Sequence, residues 1–132
     1  MIEGMRVANI LRTGAEAEHF NQSIRAALRL VRMSSPIRYR RIVRYLSRIH
    51  NDREITLASF TWPSRVCTID FPKVLEKYPD YVETLAAILV HESIHGLIWV
   101  RGIWTTEANF DHIERVCQRE ELRFSKWLEE RT

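Results

Sequence analysis

The chain has 132 residues, 45% apolar and 28% charged, the balance of one soluble globular domain. No apolar run reaches the roughly 18–20 residues that span a bilayer, so no membrane partner is expected, and the N-terminus lacks the basic-then-apolar layout of a signal peptide. Two cysteines, Cys67 and Cys117, argue against a disulfide framework and for a reducing cytoplasm.

The net charge of +3 hides an asymmetry, because residues 1–53 carry 11 Arg against four acids. A basic half of this kind suits nucleic acid or an acidic protein, or else a solvated face that pairs with the acidic half. Within it, Phe20, Ile24, Ala27, Leu28 and Val31 recur at helical spacing and predict a helix over 15–33. Pro36 suits the first turn of a second helix that buries Tyr39, Ile42, Val43, Leu46 and Ile49. On that reading Arg38, Arg41, Arg44 and Arg48 line a separate face, and Arg-rich helices fill 15–50.

Residues 54–61 and 65–71 alternate with period two around Pro63-Ser64, which predicts a hairpin over 54–71. From 81 to 101 the pattern is apolar on nearly all sides, the mark of a helix in the middle of a domain, and Gly102 suits its C-cap. A last helix is expected over 105–130. The fold class is therefore α+β, helices packed on one small sheet or hairpin in a single domain over 1–132.

His91-Glu92-Ser93-Ile94-His95 lies on the apolar helix. Histidines four apart stand one above the other and can both reach one metal ion. Glu92 is turned by about 100° from His91, beside the metal, where a general base belongs. Zn2+ is the expected cofactor, because it brings the pKa of a bound water down to about 7. A third protein ligand has to come from elsewhere. In the last helix Phe110, Glu114, Cys117, Glu121, Phe124 and Leu128 recur at steps of four and three, one inward stripe containing two carboxylates. Glu114 is the expected ligand and Glu121 the outer carboxylate that orients a histidine, with the reverse assignment as the alternative. Cys117 reads as a packed thiol.

The His-Glu-Ser-Ile-His motif, 18 further residues and then Glu114 resemble the gluzincin metallopeptidases, and in size the chain is similar to the minimal, minigluzincin-like members of that clan. The resemblance covers roughly residues 54–121. It implies a zincin-like core with zinc on His91, His95 and Glu114, Glu92 as general base, and an edge strand from the hairpin that holds an extended peptide or protein substrate. On this reading the chain is expected to do without the C-terminal domain of the larger members and without the downstream Tyr or His that stabilises their oxyanion. Tyr39, Tyr45 or an Arg of the first helices is left for that role. Two functions follow as expectations: a zinc metallopeptidase, or a binding module whose structural zinc core presents Arg38, Arg40, Arg41, Arg44 and Arg48 to nucleic acid or an acidic protein.

Overall fold

The computed structural model describes residues 1–10 and 12–131. In chain order the elements are β1 (Arg6–Asn9), α1 (Gly14–Ser34), α2 (Pro36–Tyr45), β2 (Arg48–Asn51), β3 (Ala58–Thr61) and β4 (Val66–Ile69), then α3 (Phe71–Lys77), α4 (Tyr81–Val100) and α5 (Phe110–Arg131). The class is α+β, five helices with one four-stranded mixed sheet in the order β1-β2-β4-β3. β1, β2 and β4 run parallel, whereas β3 is antiparallel to β4 and forms an edge, with Ala58 opposite Ile69 and Phe60 opposite Cys67.

α4 is the hub. Its mean hydropathy is high and it packs against α1, α2, α3, α5 and β3. Leu85, Ala86, Leu89 and Val90 join Phe20, Ile24, Leu28 and Val31 of α1 in the main core, together with Ile49, Cys67 and Ile69 of the sheet. A smaller cluster of Ile94, Ile113 and Cys117 seals α4 against α5. At Gly96 an added Cβ would collide with the backbone carbonyl of Tyr45, so α2 ends in direct contact with α4. No helix among the described residues is long and apolar enough to cross a membrane.

The structure corrects several boundaries. The second helix stops at Tyr45, and residues 48–51, expected as its last turn, form a central strand. Ile42, Leu46 and Ile49 are all buried at steps of four and three, so a fully buried strand residue continued the helical rhythm. β1 was not expected, since four residues give too short a run to show alternation. Only Ala58–Thr61 and Val66–Ile69 of the predicted hairpin pair as strands. α5 starts at Phe110 rather than near 105, after the Thr106 amide donates to Asn109 Oδ1 (2.6 Å) and the Ile113 amide to the Asn109 carbonyl (3.0 Å).

The expected arginine face is also divided. Arg38 Nε donates to Glu120 Oε1 of α5 at 2.7 Å, and Arg41 Nη1 reaches the same oxygen at 3.3 Å. Arg48 belongs to β2 and leaves that face altogether.

Candidate metal centre

Each side chain of the expected site is placed by helix phase. His91 and His95 stand one turn apart on the side of α4 that meets α5, with ring centroids 5.4 Å apart. From α5 the Glu114 carboxylate spans both rings, Oε1 lying 2.6 Å from His95 Nε2 and Oε2 3.4 Å from His91 Nε2. Two turns further along α5, Glu121 Oε1 accepts from His91 Nδ1 at 2.8 Å. In a neutral ring that bond holds the proton on Nδ1 and leaves the Nε2 lone pair directed at the Glu114 side. Phe60 of β3 stacks on His95, centroids 6.0 Å apart and planes within 11°. The rings are thus fixed from three elements.

Glu92 completes the group. Its side chain is 6% exposed, lines the same cleft, and has no hydrogen bond among the described residues. Burial pushes its carboxyl up to about 7; His91 opposes this, and Glu114 and Glu121 add to it. His91 feels burial against it, yet the Glu121 hydrogen bond and the charges of Glu92, Glu121 and Glu114 hold its imidazole above the ordinary value. Burial holds His95 below its ordinary value, with Glu114 opposing and His91 assisting. Three carboxylates thus crowd two imidazoles in a poorly solvated space. That surplus of negative charge, and the facing Nε2 and carboxylate donors, fit a divalent cation.

Cys117 also belongs here. Its sulfur and donor atoms of His91 and His95 lie within 4.8 Å of one another. Glu114 and Cys117 therefore compete as partners of the same two rings. The Glu114 oxygens reach both Nε2 atoms and its side chain opens onto the cleft. Cys117 has no exposed surface, and burial, with Glu114 and Glu92 next, drives its thiol well above its ordinary value. The sequence showed Cys117 in the inward stripe but gave no means of telling a packed thiol from a donor.

The cleft encloses about 910 Å³ between the β3 edge (Ala58, Ser59, Phe60), α4 (Glu83, Ala87, Ile88) and α5 (Gln118, Ser125, Leu128). Among its lining residues there is no Tyr39, Tyr45 or Arg, so the sequence-based candidates for an oxyanion partner are set aside. Tyr39 Oη donates instead to the Glu3 carbonyl at 2.7 Å, and Arg38 and Arg41 are turned to Glu120. His112 is exposed outside the cleft. The chain matches no protein-family model, no curated protein and no solved structure.

Proposed function

We propose that the chain is a zinc-dependent metallopeptidase of gluzincin-like design that hydrolyses peptide bonds. The observation that carries this reading is the single Glu114 carboxylate facing Nε2 of both His91 and His95, with the buried, unbonded Glu92 carboxylate beside it. A zincin-like core is supported by the mixed sheet, whose antiparallel edge strand lines the cleft over the motif helix. His91 Nε2, His95 Nε2 and the Glu114 carboxylate would hold the zinc, and Glu121 keeps the His91 ring oriented through Nδ1. The chemistry a zinc ion contributes when bound is Lewis acidity toward water and toward a carbonyl oxygen.

The rest is work for the protein. β3 offers its edge to an extended peptide, and the stacked Phe60 ring keeps the His95 imidazole in place. The Glu92 carboxylate takes a proton from a water in the cleft and returns it to the departing amine nitrogen. A cation among these carboxylates favours the ionised form of Glu92, which is the form a base needs.

Glu92→Gln should bind zinc normally and lose roughly 10²-fold or more in turnover of a peptide library at neutral pH. Cleavage that survives both a chelator and this substitution would sink the mechanism. A second reading is favoured by one observation, the nearness of Cys117 to both imidazoles. If sulfur took the fourth position the site would be closed and structural, in a binding module with Arg40 and Arg44 toward nucleic acid or an acidic protein. X-ray absorption of the zinc-loaded protein separates the two, because a sulfur at about 2.3 Å would mark the closed site.

A further inference from the structure

The cleft is acidic out of proportion to the chain. Asp80, Glu83, Glu92, Glu114, Glu121 and Glu129 line it, and no Lys or Arg does among the described residues. The whole sequence has 20 Lys and Arg against 17 acids, so composition does not account for this segregation. Three of the six carboxylates belong to the metal centre, and Asp80 and Glu83 stand apart from it, Asp80 just before α4 and Glu83 in its first turn. Glu83, Ala87, His91 and His95 succeed one another at steps of four on one helix face, and all four line the cleft. Eight residues of helix separate Glu83 from His91, a rise of about 12 Å, and Asp80 lies about 16 Å away. Neither carboxylate has an ion pair or side-chain hydrogen bond among the described residues. Two further observations point to a ligand in this space. Among the described residues the outer edge of β3 has no partner strand, and the Glu92 side chain, although buried, has no hydrogen bond and faces the same cleft.

We propose that the cleft selects extended peptides bearing a cationic side chain, a Lys or Arg seated by Glu83 and Asp80 two to four residues from the bond at the metal centre. An extended chain covers about 3.3 Å per residue, so 12 Å is three to four residues, and the length of the basic side chain shortens the count. Only the placement of the cut bond rests on the peptidase reading. The charge preference rests on the lining of the cleft alone. A free α-amine carries the same charge, and acetylation distinguishes it from a side chain.

The test uses hexapeptides with a neutral dye, each made with a free and with an acetylated N-terminus, that differ only in one Arg, Gln or Glu. Binding is read by anisotropy on the Glu92→Gln protein in zinc buffer, and kcat/KM on the wild type. The Arg peptide should bind roughly ten-fold more tightly than the Glu peptide at low salt, less so as salt rises. The double variant Asp80→Asn/Glu83→Gln should bring the two within about two-fold while leaving the melting temperature and the affinity of the Gln peptide unchanged. Equal binding of Arg and Glu peptides, or a preference that survives the double substitution, overturns the proposal, and so does a preference lost on acetylation. A charge preference without cleavage of any peptide upholds the proposal and defeats the peptidase reading. Cleavage with no charge preference does the reverse.

Discussion

Glu120 and Glu121 are neighbours on α5, and they face two opposite electrostatic situations. Glu120, 14% exposed, is shared by Arg38 at 2.7 Å, Arg41 at 3.3 Å and Arg123 at 3.9 Å. Its charge is more than matched by side chains of this chain, and nothing further is needed there. Glu121 looks the other way, into a space where it joins Glu92 and Glu114 around two imidazoles. That side has more negative charge than its own residues neutralise. The contrast shows how to tell a carboxylate that ties helices together from one left among like charges: by the sum of its surroundings, not by its own burial.

Swapping the perturbation between the two sides is the sharpest way to break this contrast. Glu114→Ala should lower zinc affinity by more than about 100-fold, and Glu121→Gln by about 10- to 100-fold, since outer carboxylates usually matter to that extent. Glu120→Ala should leave zinc affinity unchanged and instead lower stability by about 1.5–3 kcal/mol, because it strips the mostly buried Arg38 of its charged partner. Zinc titration and chemical denaturation of the three variants read both quantities. Intact zinc binding in Glu114→Ala would mean that Cys117 or Glu121 is the ligand.

The metal-free protein offers a second test, through pH. Glu92 titrates from 4.5 in its ordinary state to about 7 here, so the folded state holds its proton more tightly than the unfolded one. Stability therefore falls as pH rises from about 4.5 through 7, and the loss is complete above that. Glu92→Gln removes the penalty, so the metal-free variant should be more stable than wild type above pH 7, by at most about 3–4 kcal/mol at 1.36 kcal/mol per unit. The two should converge below about pH 4.5. A constant difference between them across this range would show that Glu92 is not the group responsible.

The smallest effect is expected on the arginine side. Arg44→Glu should change stability by no more than about 0.5 kcal/mol, since Arg44 is exposed and no acidic side chain pairs with it among the described residues, whereas Arg41→Glu should cost more by meeting Glu120. Equal melting shifts for the two would mean that the Glu120 cluster contributes nothing to the fold.

The convergence of the His and Glu side chains was legible because it is written in helix phase. His91 and His95 four apart, and Glu114 and Glu121 seven apart, need only a helix to face one another. The long-range pairing of Arg38 with Glu120 was not legible, for it joins residues 82 positions apart and depends on how α2 meets α5. β1 and β2 were missed because four-residue strands carry little periodic signal, and Ile49 kept the rhythm of the helix before it. The edge position of β3 follows from strand order, which no local pattern encodes.

Gly96, directly after the second histidine, works as a spacer gauge between the two halves of the chain. With hydrogen there, the last carbonyl of α2 touches α4 one residue from the His95 ring; with any carbon there, the two helices have to part. The arginine-rich half is then more than a charged face: its final turn is the backstop that sets how deeply the motif helix sits, and so how far both imidazoles stand from α5. Damage to that backstop would register in the spacing of the two imidazoles and Glu114 without any of those side chains having changed.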